Sequence, residues 1–308
     1  MGKKNSQKRR VAYLWLLLNT VVWGAAFIAV KPALSFITPT RFLFYRYFWA
    51  SLLSLPIFYY YRRQLKNVGA QLWRIILIES LGTIVVLWLL YYALNLISAI
   101  EASLLGNATP IFVTLGGIFF LKEKESRQEW SGLFLALIGT FILVIAPNLA
   151  AGQGFNLTSL SGNLIFLLAM LFNAAYYLLA KKYYWQLPLF LVTAISFYVG
   201  LIGFGLLFWQ ESSSLANIWP QIRLDWQIPA TAIASLYMAF FGSIIGLTAY
   251  YQGQKHIEAS EASLFTYLQP LVAIPLAIFF LSESVSWQQL LGLAIIFLGV
   301  IWGEKHHQ

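Results

Sequence analysis

Two ionisable side chains fall away from the very ends of long apolar runs of this 308-residue chain: Arg46, early in the run 42–61, and Glu79, within the run 72–97 that Arg74 opens. A charge in hydrocarbon is expensive, so each is a functional candidate by default. Arg46 has two readings. Its long stem lets it snorkel to the headgroups, or its guanidinium meets an anion or acts in a gate. Glu79 also has two. Hydrocarbon disfavours the charged form of a carboxylate, which suits a proton carrier, whereas pairing with Arg74 five positions earlier would make it structural. The balance leans to the structural reading. Lys31, before Pro32, reads as interfacial, and Glu101 and Glu261 as helix caps at the positive dipole end.

Amides and phenols are denser than lipid-facing helices would hold. Asn19, Tyr91, Tyr92, Asn95, Asn107 and Thr109 fall in the first half, and Asn173, Tyr176, Tyr177, Tyr250, Tyr251, Gln252, Tyr267 and Gln269 in the second. The substrate-binding set expected from them, with neighbouring aromatics, is Trp23, Phe27, Tyr92, Asn95, Asn107, Asn173, Tyr176, Tyr250, Tyr267 and Gln269. Arg46 and Glu79 are held apart as coupling or gating residues. Ring faces attract apolar and cationic groups, so this lining favours a neutral or zwitterionic amphipathic solute over a strongly anionic one. The alternative for each polar residue is a bond between helices.

The elements that position these residues must lie in lipid. The chain is 60% hydrophobic and 10% charged, against about 25% charged in a soluble domain. It has no cysteine, hence no disulfide or thiolate metal site, and its histidines are His256, His306 and His307. No metal, cofactor or nucleic-acid partner is expected. The partners are a small solute and lipid, and the oligomeric state is expected to be monomeric. A membrane helix needs roughly 20 apolar residues. Ten runs qualify: 11–30, 42–61, 72–97, 102–121, 130–147, 160–180, 187–210, 227–252, 262–282 and 284–303. Residues 1–10 read as a disordered tail, and 11–30 is too long for a signal core, so it is expected to be retained.

Residues 99–139 recur 160 positions later, with 16 of 41 identical, including Pro110/Pro270, Glu123/Glu283, Gly132/Gly292 and Gly139/Gly299. The unit is domain-sized: a first five-helix repeat over 11–147, a linker over 148–160 and a second repeat over 161–303. Five spans per unit means that the two copies sit in opposite orientations. Sixteen of the 20 lysines and arginines fall in alternate segments beginning with the N-terminus, which places both termini in the cytoplasm and 148–160 and 282–287 outside. The fold class is therefore an all-α integral membrane protein of ten transmembrane helices in two inverted five-helix repeats. Such repeats place a substrate site near the bilayer midplane. The glycines Gly116, Gly117, Gly132, Gly139, Gly292 and Gly299 read as close-packing positions between helices.

Trp23-Gly24-Ala25-Ala26-Phe27, Arg46, Tyr92-Ala93-Leu94, Pro110 with Glu123, and Gly132 with Gly139 resemble the drug/metabolite transporter superfamily, and most closely its EamA-like ten-span inner-membrane exporters. The resemblance covers 11–303. It implies two intertwined inverted bundles around a central cavity and export of small metabolites such as amino acids. The second half departs from it, with Phe172-Asn173 in place of the Trp-Gly pair. The expectation is a secondary transporter of the cell inner membrane, working by alternating access and, with Glu79 structural, by facilitated export. A membrane-embedded enzyme is the alternative, but it would need paired carboxylates or intramembrane histidines. A non-transporting receptor would leave the duplication unexplained.

Overall fold

The computed structural model describes residues 2–64, 69–121, 127–150, 157–184, 187–254 and 265–304. All the regular structure among them is helical. The chain rises through α1 (Gly2–Gly24) and, after an offset at Ala25, α2 (Ala26–Leu34). Thr38 then opens α3 (Pro39–Tyr61): its hydroxyl accepts from the Arg41 amide, and Pro39 occupies the first turn, where its missing N–H is harmless. The third rod joins α4 (Leu72–Glu79) to α5 (Val86–Leu96) through a π-helical segment, Ser80–Val85. Ser98 and Glu101 form a reciprocal capping box at the start of α6 (Ala99–Gly106). After a break at Asn107 the rod continues as α7 (Ala108–Gly116) and a second π segment, Gly117–Leu121.

The second half repeats the pattern. It begins after α8 (Arg127–Ala150) with α9 (Leu157–Tyr184) and α10 (Leu189–Ser212). A short α11 (Leu215–Asp225) precedes α12 (Pro229–Tyr237), a π segment over Met238–Ile245, and α13 (Gly246–Gln254). A tight turn over Phe265–Leu268 leads into α14 (Gln269–Leu281), and α15 (Trp287–Glu304) ends the described chain.

Among the described residues six stretches are long and apolar enough to cross a membrane: Lys8–Leu34, Leu72–Leu96, Ala99–Phe120, Leu157–Tyr184, Phe190–Ser212 and Pro229–Gly253. Shorter apolar helices run over Trp130–Ile145, Phe265–Leu281 and Trp287–Gly299. Their rings face outward where lipid would be, as with Phe120, 81% exposed, and Phe279, 80% exposed. The protein is thus an all-helical, multi-pass membrane protein.

Three boundaries differ from the sequence reading. Residues 2–10 are helical, because the apolar run supplies a nucleus onto which polar residues add at little cost. The linker narrows, since α8 extends to Ala150 and α9 begins at Leu157. The third is α11, an amphipathic helix where a loop was expected, capped by the Ser214 hydroxyl on Ala216 N and tied down by Asp225. Glu123, Glu261 and His256 lie outside the described residues.

The halves are intertwined. Helix α1 packs on α13 and α14, while α9 packs on α5 and α7. Helix α3 packs on the π segment Met238–Ile245, and α10 on the π segment Ser80–Val85. Helices α3 and α10 also pack on each other, as do α8 and α15. Rings of Phe42, Tyr45, Phe166, Phe197, Phe204 and Phe208 fill the core between them. The π segments Ser80–Val85 and Met238–Ile245 are thus each flanked by a helix of the opposite half.

Candidate functional site: a buried carboxylate and guanidinium between the halves

Glu79 is the last residue of α4 and is 1% exposed. Its carboxylate accepts the Tyr176 hydroxyl at 3.2 and 3.4 Å and the Thr83 hydroxyl at 3.4 Å. Tyr184 and Ser196 face the same group, and Thr83 and Ser196 are joined at 3.2 Å. Three elements therefore surround it: the π segment Ser80–Val85 of its own half, and α9 and α10 of the other. Among the described residues the ion pairs belong to Arg41, and no lysine or arginine stands within ion-pair distance of Glu79.

This overturns the expected pairing with Arg74. That guanidinium lies 5.3 Å from the Trp73 ring centroid and 6.0 Å from that of Tyr183. Five positions on an α-helix turn the side chain through roughly 140° from its starting direction, so Arg74 and Glu79 leave different faces of α4. The reading of Glu79 as structural through Arg74 falls with it.

Arg46 does not snorkel either. It is 5% exposed; its Nε donates to Ser243 Oγ at 3.0 Å and its Nη1 to Tyr91 Oη at 3.1 Å. The guanidinium carbon stands 5.3 Å from the centroid of the Tyr47 ring, within cation–π range. The Tyr47 hydroxyl faces Thr83 and lies within electrostatic reach of both Arg46 and Glu79. Thr83 and Ser243 each sit in a π segment, and they stand 160 positions apart, the spacing of the duplication. Those two hydroxyls were absent from the expected set, although the repeat spacing pointed to them. π segments rearrange the backbone ladder and recur at functional sites.

Beside Glu79 the phenols continue. Tyr176 and Tyr251 join hydroxyl to hydroxyl at 3.2 Å. Tyr250 stacks on Trp23 at 5.5 Å and lies 5.4 Å from Tyr177, whose hydroxyl faces Asn173 and Tyr250. Trp23 Nε1 donates to the Gly242 carbonyl at 3.0 Å, and Asn19 Nδ2 to that of Gly246 at 2.9 Å, which fixes α1 on the π segment Met238–Ile245 and the start of α13. Glycine at position 82 is required here, because a Cβ would run into the Tyr176 ring.

Of the expected set, the structure thus places Tyr176 on Glu79 and links Tyr250, Trp23 and Asn173 to it through Tyr177. Phe27 packs edge-on against Phe166, 5.9 Å away. Tyr267 is buried against Phe297, and Gln269 opens α14 with its carbonyl facing Gly24. Asn107 sits at the break between α6 and α7, fully buried, with neither amide atom bonded among the described residues. Tyr92 and Asn95 lie apart, exposed at the far end of α5. With Trp88, Thr38, Arg41 and Glu211 they line an open cavity of ≈ 440 Å³. At that end Asp225 binds Arg41 at 2.9 Å and Tyr45 at 2.6 Å. There too Lys31 Nζ donates to the Leu94 and Ile97 carbonyls, both at 2.6 Å, and Glu283 accepts the Ala99 and Ile100 amides at 2.8 and 2.9 Å. Lys31 therefore ends α5 and Glu283 caps α6 from the other half. The Glu101 cap is as expected.

Comparison with known proteins agrees with this architecture. An uncharacterized transporter of Archaeoglobus fulgidus is 26% identical over 301 residues, covering 96% of this chain and 98% of its own. The uncharacterized transporter YcxC of Bacillus subtilis is 24% identical over 94% of this chain and 91% of its own. A solved crystal structure superposes with a TM-score of 0.64 over 95% of this chain and 96% of its own; at 16% identity it shows a shared fold. The model of the EamA-like transporter family matches twice, over residues 10–145 and 160–302, one copy on each half. The chain belongs to the EamA-like transporter family.

Proposed function

We propose that the protein is a secondary transporter that exports small amphipathic metabolites, amino acids among them, across the cell inner membrane. It works by alternating access, with ten spans in two inverted five-helix repeats, 11–147 and 161–303, and both termini cytoplasmic. One observation carries the reading. The buried ionisable side chains Arg46 and Glu79 each sit where a helix of one half meets a π segment of the other, through Ser243 and through Thr83 with Ser196. Exchanging the halves converts the packing of α1 on α13 into that of α9 on α5, and the packing of α3 on one π segment into that of α10 on the other. Rocking one half against the other would remake these contacts without unfolding either, which is the motion inverted repeats perform. The phenols, Asn107 and Gln269 then contact the solute.

The test uses purified protein and a panel of amino acids and other amphipathic solutes. A ligand that binds only the folded state raises the melting temperature, and the solutes that do so should show counterflow in proteoliposomes. A panel with neither effect would refute the reading. Topology is tested with a cysteine at Ser284, since the native chain has none. It should react with an impermeant reagent on intact cells, and labelling only after permeabilisation would refute the inverted arrangement.

A further inference from the structure

Arg74 and Lys182 converge on one ring from opposite halves of the chain. The Arg74 guanidinium, on α4, lies 6.0 Å from the ring centroid of Tyr183, and Lys182 Nζ, on α9, lies 5.5 Å from it. Both distances are within cation–π reach, and all three side chains are exposed. Two cations drawn to one ring repel each other. Among the described residues the ion pairs belong to Arg41, and neither cation stands within ion-pair distance of a carboxylate. Arg62, by contrast, lies 3.9 Å from the ring centroid of Tyr59, a neighbour three positions away on its own rod. The spans that carry the pair fix its depth. The apolar stretch Leu72–Leu96 begins just before Arg74, and Leu157–Tyr184 ends just after Lys182. Both cations therefore stand at the same edge of the bilayer, level with the headgroups. An apolar strip runs from them along α4: the Arg74 guanidinium is 5.3 Å from the Trp73 ring, and Trp73 and Leu77, four positions apart on one face, are both exposed. A cationic pair heading an exposed apolar strip matches an amphiphile with an anionic head.

We infer that Arg74, Lys182 and Tyr183 hold the phosphate of an anionic phospholipid, whose acyl chain lies along Trp73 and Leu77. The guanidinium offers the phosphate two parallel N–H groups, and the ammonium adds a point charge. On the topology proposed above the site faces the inner leaflet, whose anionic lipids attract basic side chains. The lipid ties α4, which ends in Glu79, to α9, which brings Tyr176 to that carboxylate. It thereby steadies the packing of one half on the other. Binding stands apart from the transporter reading. Its consequence rests on that reading: rocking must release the tie, so anionic lipid slows transport.

The probe is dioleoylphosphatidylglycerol, added at increasing mole fraction to the purified full-length protein in nonionic detergent micelles, with dioleoylphosphatidylcholine as the zwitterionic reference. A ligand of the folded state raises the melting midpoint, so the anionic lipid should raise it above the reference. Arg74→Gln or Lys182→Gln alone should increase the mole fraction needed for half the effect about fivefold, the share of one basic side chain at an anionic surface. The double variant should lose the effect, and Arg74→Lys with Lys182→Arg should retain it. Lys8→Gln with Arg10→Gln removes the same charge from exposed positions on α1 and should change nothing. Glycerol 3-phosphate supplies the headgroup phosphate without a chain and should not reproduce the rise. No rise with the anionic lipid, a rise that survives the double variant, an equal loss in the α1 pair, or an equal rise with glycerol 3-phosphate each overturns the inference. Counterflow of the solute panel should be slower in phosphatidylglycerol than in phosphatidylcholine proteoliposomes, and equal in the double variant. Equal rates for the native protein overturn the consequence. A lipid-dependent melting shift with no counterflow in either lipid would retire the transporter and leave the site.

Discussion

Gly139 on α8 lies directly against Gly292 on α15: a Cβ on Gly139 would stand 2.6 Å from the Gly292 carbonyl oxygen. The reciprocal contact is made one heptad along, where a Cβ on Gly299 would stand 2.5 Å from the Gly132 carbonyl. Gly132 and Gly292 are equivalent in the duplication, as are Gly139 and Gly299. The pairing is therefore self-complementary, the pattern of a two-fold interface within one chain. Without an interhelical hydrophobic force in lipid, such close backbone approach supplies the packing.

Gly139→Ala should accordingly destabilise the protein by about 1–3 kcal/mol, because the obstructing atoms are backbone and cannot rotate away. Gly205→Ala is the control, its nearest neighbour being the Phe44 ring at 3.7 Å. Thermal unfolding in detergent should show a lowered midpoint for the first and no lowering for the second.

Asp225 fastens α11 to the end of α3. It accepts from Arg41, Tyr45 and Gln221 and is almost fully buried. Asp225→Ala leaves a largely buried guanidinium and a phenol without their acceptor, which should cost about 3–5 kcal/mol. Arg41 also meets Glu211 at 3.5 Å, but that carboxylate is about one-third exposed. Glu211→Gln should therefore cost roughly 1 kcal/mol or less. Equal losses in the two variants, measured by thermal unfolding, would contradict this division.

Glu283 holds the first turn of α6 from across the molecule. Hydrogen bonds to a charged group contribute about 1.5–3 kcal/mol each, and Glu283→Ala removes two of them. Hydrogen exchange should speed at Ala99 and Ile100 while Glu101 N, which is bonded to Ser98, keeps its protection. Unchanged exchange at all three amides would show that solvent replaces the cap without loss.

Asn107 separates structure from transport. A buried amide with no partner costs about 1–3 kcal/mol, so Asn107→Leu, of similar volume, should leave the melting temperature unchanged or raise it. If the amide meets the solute, as proposed, counterflow should fall severalfold in the same variant. A stable variant with full transport would remove Asn107 from the site, and Gln269→Ala, at the second-half position equivalent to Thr109, is tested in the same assay.

The sequence by itself determined that this chain is helical and lives in a membrane, because apolar runs of membrane length and a charged fraction of 10% leave no other solvent. It also exposed the duplication, since Glu123/Glu283 and the glycine pairs keep one offset. Close packing at Gly139 and Gly292 was legible for the same reason: a missing side chain is visible in sequence, and lipid gives it one main use. Partners were not legible. Glu79 looked paired with Arg74 because sequence distance is short, yet helical rotation separates them, and the actual neighbours, Tyr176 and Ser196, stand 97 and 117 positions further along. Tyr92 carried the same polar signal as Tyr176, but only the packing of α9 on the third rod decided that Tyr176 meets the carboxylate. Composition reports how many polar groups must find partners. Which ones meet depends on rotation and tilt of rods from different halves, and those are set by interlocking side chains that no single segment encodes.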